Sequence, residues 1–171
     1  MSIYVNGNTK KIYANGNIKS VYIGNQLIWN SNTAVVGDYI HILATGHINT
    51  NYGASPYSLS LKCQDYKGST LSIMDDGKTL KNNGTGEITV NIKGTYKASC
   101  AGGEGTGMRT LDFCGVRLYF KVNNDNSSGE FDYSATIEAG GERTMSGYNE
   151  WHDNGGVDWN NNFIVTVTEV K

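Results

Sequence analysis

Residues 87–100 read EITVNIKGTYKASC, and their side chains alternate strictly. Ile88, Val90, Ile92, Gly94, Tyr96, Ala98 and Cys100 fall on one parity; Thr89, Asn91, Lys93, Thr95, Lys97 and Ser99 fall on the other. A strand points successive side chains to opposite faces, so this run is one long strand with a dry face and a wet face. A helix needs apolar residues three and four apart, and the run has no such spacing. Gly94 interrupts the dry face, which predicts a bend or bulge as the strand curves over a core. A one-faced strand of this length belongs in the middle of a sheet that packs on a second sheet.

The same period recurs along the chain. Residues 35–43 form a strand weakened by Gly37. Tyr57, Leu59, Leu61 and Cys63 alternate, and Leu71 and Ile73 mark a short strand stopped by Asp75-Asp76-Gly77. Residues 114–122, 131–137 and 163–170 alternate in turn, separated by Asn- and Gly-rich clusters at 82–84, 101–108, 123–129 and 140–141. No segment carries a helical period. With 22 Gly, one Pro and 38% hydrophobic residues, the composition suits tight turns between many short strands rather than disorder. The prediction for residues 31–171 is an all-β fold: an antiparallel β-sandwich, jelly-roll or immunoglobulin-like.

Residues 1–30 differ. Ile3, Ile12 and Val21 are spaced nine apart, as are Tyr4, Tyr13 and Tyr22, and each pair precedes an Asn-Gly or Gly-Asn turn. Such turns supply the positive φ of a tight hairpin. The pattern predicts a small N-terminal β-meander closed by a strand ending at Trp29. Its strands are apolar on both faces, and a meander of this size cannot bury both alone. Ile3, Tyr4, Ile12, Tyr13, Val21, Tyr22 and Trp29 are therefore the expected docking interface. It would lean on the following domain, on another copy or on a larger assembly. A homo-oligomer is expected, a trimer before other states. The polar stretch Asn30-Ser31-Asn32-Thr33 is the expected boundary.

Net charge is −2, which gives no broad electrostatic case for nucleic acid. No run approaches the roughly 20 apolar residues of a membrane-spanning helix. The first 29 residues alternate instead of forming an apolar leader, so synthesis in the cytoplasm is expected. Cys63, Cys100 and Cys114 have no metal-ligand spacing and are expected to be free, mostly buried thiols; a Cys100–Cys114 bridge is the alternative. His41, His47 and His152 are scattered, and no HExxH, GxSxG or phosphate-loop motif occurs. The carboxylates Asp75 and Asp76 sit where a turn wants Asp. A calcium loop starting at Asn124 fails at its twelfth position, which is Ala135. No metal, cofactor or catalytic residue is expected.

Residues 148–162, YNEWHDNGGVDWNNN, are the one stretch that suggests a ligand. Flat aromatic rings stack on the apolar face of a pyranose while amides and acids take its hydroxyls. Read as a loop, the stretch offers Tyr148, Trp151, His152, Asp153, Asp158 and Trp159 as glycan-binding residues. The competing reading makes one Trp a plug at the end of the sandwich.

The N-terminal repeat, in units such as Lys19-Ser20-Val21-Tyr22-Ile23-Gly24-Asn25-Gln26-Leu27-Ile28-Trp29, resembles a pattern in virion proteins of phages that infect Gram-positive bacteria. There it recurs near fibre, baseplate and tail-tip modules. Gly94-Thr95-Tyr96 in a long strand, with an apolar closing strand, is similar to trimeric jelly rolls of the C1q and tumour-necrosis-factor type. The resemblance implies a non-enzymatic virion protein of tail, fibre or baseplate, made in the host cytoplasm. Its partners would be other virion proteins and a host cell-surface polysaccharide. A capsid decoration or head-fibre protein is the alternative; a free carbohydrate-binding module or glycan-cleaving enzyme is the alternative of another class.

Overall fold

The structure, a computed structural model, describes residues 2–5, 8–11, 20–23, 26–30, 34–50, 57–101, 106–123, 126–150 and 155–171; side chains are described at 34–47, 58–99, 110–118, 128–147 and 158–171. All the regular structure in these residues is β. In chain order the strands are β1 (Ser2–Val5), β2 (Asn8–Lys11), β3 (Ser20–Ile23), β4 (Gln26–Asn30), β5 (Tyr39–Thr50), β6 (Tyr57–Ser58), β7 (Ser60–Lys67) and β8 (Leu71–Ile73). They continue as β9 (Thr79–Asn82), β10 (Ile88–Ala101), β11 (Thr106–Phe113), β12 (Val116–Asn123), β13 (Asn126–Ile137), β14 (Glu142–Thr144), β15 (Ser146–Glu150) and β16 (Gly155–Val170).

The first layer is antiparallel, in the order β13-β10-β16-β5-β7. Its centre is the long alternating strand β10, paired with β13 on one side and β16 on the other. The second layer joins two smaller sheets, β8-β9-β14 and β12-β11-β15-β6. Only Met145 separates β14 from β15, so one stretch of chain runs through both. The Met145 carbonyl accepts a hydrogen bond from Leu59 N at 3.0 Å instead. From β9 onward the chain alternates between layers, and its last strand enters the middle of the first layer, between β5 and β10. An immunoglobulin-like sandwich would pair its last strand in a terminal hairpin. This winding is that of a jelly roll.

The core lies between the layers. Ile88, Val90, Ile92 and Ala98 of β10 are fully buried, as the alternation requires, with Ile42, Phe163 and Val165 beside them and Leu80, Leu111 and Phe113 opposite. Phe113 and Phe163 meet edge to face across the layers, ring centroids 5.6 Å apart. Burying side chains of this size stabilises by about 1.5–3 kcal/mol each. Loop ends are held by buried polar groups. The Asp38 carboxylate accepts from Ser69 N, Thr70 N and Thr70 Oγ1. Asn82 Nδ2 donates to the carbonyls of Gly86, Ile137 and Glu138.

Several strand limits differ from expectation. The turn at 35–38, where Asp38 N donates to Val35 O and Gly37 has φ 87°, delays β5 to Tyr39. Cys114 is not the first residue of a strand. With Gly115 it makes the two-residue turn joining β11 to β12, both at positive φ (52° and 79°). The glycine-rich 101–108 stretch is shorter as a loop than expected, since β10 runs to Ala101 and β11 starts at Thr106. The irregularity expected at Gly94 lies elsewhere: the register between β10 and β16 slips between Thr89 and Val90. At the N-terminus, β1 pairs with β2 and β3 with β4; among the described residues no ladder joins these two hairpins into one meander.

Candidate functional site

The stretch 148–162 is mostly strand rather than loop. β15 carries Tyr148, whose backbone pairs with Thr110, and β16 begins at Gly155. Trp151, His152 and Asp153 lie outside the described residues, and so does the side chain of Tyr148. Trp159 is a correction to the glycan reading. It faces the core, 2% exposed, with no ring face open to a sugar. Asp158, one residue earlier, points to the wet face.

That wet face is built by strand register. On β16, Asp158, Asn160 and Asn162 point outward while Trp159, Asn161, Phe163 and Val165 are buried. Asp158 lies opposite His47 of β5, and Ile164 opposite His41. His47 Nδ1–H donates to Asp158 Oδ1 at 2.7 Å, with both side chains more than half exposed. An exposed pair of this kind contributes about 0–1 kcal/mol. His41 Nε2–H donates to Asn162 Oδ1 on the same face.

Across β10 the face continues to a shallow depression of about 350 Å³, lined by Lys93, Gly94, Thr95, Glu130, Phe131 and Asp132. Lys93 Nζ donates to Asp132 Oδ2 at 2.9 Å, and Asn91 Nδ2 to Oδ1 at 2.8 Å. The Asn91 hydrogen bond, then that of Lys93, hold the Asp132 carboxyl below the usual carboxylate range. Near neutral pH it has no proton to donate. The arrangement can accept and donate hydrogen bonds to a hydroxylated surface.

Asp76 does turn work: it accepts from Lys78 N, Thr79 N and Thr79 Oγ1. Among the described residues no group of three His, Cys, Asp or Glu gathers as a metal site. Of the expected docking residues, Ile3 and Tyr4 lie in β1, Val21 and Tyr22 in β3 and Trp29 in β4; their side chains, and Ile12 and Tyr13 altogether, lie outside the description. Val21 pairs with Trp29 across the second hairpin.

The sequence singles out Asp158 of the β5–β16 row but not its companions His41, His47 and Asn162. The signal was present, since Asp158, Asn160 and Asn162 share a parity opposite to Trp159 and Phe163. Asparagine runs favour loops, which masks that parity.

No protein-family model matches the chain, and no curated protein matches it. Among solved structures, the PRD1 vertex protein P5 is similar over 94% of this chain and 87% of that one, at 11% identity and a TM-score of 0.47. Murine APRIL at pH 8.5 is similar over 72% of this chain and 97% of its own, at 9% identity and a TM-score of 0.37. Dimeric latent PorU from Porphyromonas gingivalis is similar over 88% of this chain but 14% of its own, at 13% identity and a TM-score of 0.37. The jelly-roll assignment rests on the strand order, not on these likenesses.

Proposed function

We propose that the chain is a non-enzymatic structural protein of a phage virion, associated with tail, fibre or baseplate. In this reading the N-terminal hairpins dock on other virion proteins or on sister copies, and the jelly roll is displayed outward. The observation that carries the reading is the nine-residue strand repeat, apolar on both faces, joined by a short polar link to a jelly roll. A rigid sandwich needs no such appendage for its own core, whereas a subunit of a larger particle needs an attachment surface.

The finer part of the proposal is a host cell-surface glycan. Tyr148, Trp151, His152, Asp153 and Asp158 remain its candidate residues. Trp159 leaves that set because its ring is core.

The experiment is fractionation of phage particles followed by imaging with an antibody to this chain. Label on the tail or its tip supports the proposal. Label on the head favours the capsid decoration or head-fibre reading. A chain absent from particles yet bound to soluble cell-wall polysaccharide favours the free carbohydrate-binding module.

A further inference from the structure

Trp159 and Asn161 occupy successive core-facing positions of β16, 2% and 0% exposed. Three of their polar atoms are buried with no hydrogen-bond partner in the protein: Trp159 Nε1, Asn161 Nδ2 and Asn161 Oδ1. Buried polar groups in folded proteins are nearly always satisfied, by protein or by bound solvent. Among the described residues the other buried asparagine, Asn82, uses both ends of its amide, with Nδ2 donating to three carbonyls and Oδ1 accepting from Gly84 N.

The surroundings define what these atoms can take. In the sheet, Asn161 lies between Ala44 and Tyr96, and Trp159 between Gly46 and Ala98. Three of these four neighbours are Gly or Ala, the smallest side chains. The buried acid of the described core, Asp38, lies toward the other end of β16, where its carbonyl accepts from Val167 N. Among the described residues no other buried acid or base stands beside the three atoms, so a neutral guest suffices. It must accept from an indole N–H or amide N–H and donate to an amide oxygen. It must also be small, because all three atoms are sealed from solvent.

We infer that Trp159 and Asn161 together hold a buried water molecule between the two layers. Positions two apart on a strand are about 6.8 Å apart. A water with hydrogen bonds of about 2.9 Å links partner atoms up to about 5.8 Å apart, so the bridge requires the two side chains to lean toward each other by about 1 Å.

The test is a water-contact measurement by NMR on the full chain. The indole N–H of Trp159 is assigned by elimination with Trp29→Phe and Trp151→Phe. A cross-peak between that N–H and a long-lived water is expected in the wild type, and its loss in Asn161→Leu. Absence of the cross-peak in the wild type overturns the inference. So does a cross-peak that survives undiminished in a folded Asn161→Leu protein, since Asn161 would then not be part of the site. Should Asn161→Leu fail to fold, the wild-type spectrum decides, backed by a crystal structure inspected for solvent within hydrogen-bond distance of all three atoms.

Discussion

Phe131 and Phe163 bring their rings to a centroid separation of 5.8 Å from opposite sides of Gly94. The glycine is the strand position between them, and the rings close over the space that its side chain leaves. A Cβ built there would overlap the Asn162 carbonyl oxygen and the Cα and Cβ of Phe163. Backbone cannot yield as a flexible side chain can. Gly94→Ala is expected to destabilise by about 1–3 kcal/mol, and Gly94→Val by more. Urea denaturation measures this; an unchanged midpoint for Gly94→Val would show that the β10–β16 approach is not tight.

Asn82 ties the turn after β9 to the end of β13 through carbonyls at 2.9–3.2 Å and an accepted bond of 2.8 Å. Asn82→Ala should cost about 1–3 kcal/mol through the buried groups it leaves unpaired. Asn82→Asp should cost more at neutral pH, because a carboxylate would face carbonyl oxygens. Thermal melts of the two variants give the order; Asp milder than Ala would refute it.

Acid should weaken the fold through carboxylates that are better held folded than unfolded. Hydrogen bonds from Lys78 N, then Thr79, lower the Asp76 carboxyl. Asp132 is lowered by Asn91, then Lys93, and Glu138 by its own backbone N–H, then Arg143. A folded value below the unfolded one gives stability that is present above the unfolded range, about pH 4, and lost as pH falls through the folded value. The urea midpoint should be steady from pH 7 to pH 5 and drop below about pH 4. In Asp76→Asn, which keeps the turn's acceptor but cannot titrate, the drop should be smaller.

The thiols should separate sharply. Cys114 and Cys63 are both free; Cys114 is buried and Cys63 exposed, while the Cys100 side chain lies outside the described residues. Burial pushes the Cys114 thiol up to about 12, so at pH 8 its thiolate fraction is on the order of a thousandfold below that of an ordinary thiol. A maleimide should label Cys63 of the native protein within minutes and spare Cys114 until denaturant is added. Peptide mass spectrometry reads the sites, and equal native labelling would refute the assignment.

Residues 1–30 should carry association. Light scattering is expected to show an oligomer for the full chain and a smaller species for a chain starting at Thr33. Monomers in both at tens of micromolar, roughly the range where modest interfaces form, would leave docking to a different virion protein as the remaining form of the proposal.

The alternation of residues 88–100 determined the central strand and its buried face by itself, because period two is a property of the strand alone. The nine-residue repeat likewise pointed to turns at Asn6-Gly7, Asn15-Gly16 and Gly24-Asn25; paired strands flank the first and last, and the middle one lies outside the described residues. Tertiary structure decided the rest. Asn160, Asn161 and Asn162 have poor strand propensity, yet they are strand because β10 and β5 pair with β16 on both sides and satisfy its backbone. Asn126, Ser127 and Ser128 are drawn into β13 in the same way, by register with Ser99, Ala98 and Lys97. That pairing made residues 155–162 of the suspected sugar loop part of a central strand, buried Trp159 and set Asp158 beside His47. Pairing between residues more than a hundred positions apart leaves no local period, so only the folded chain could bring that row of side chains together.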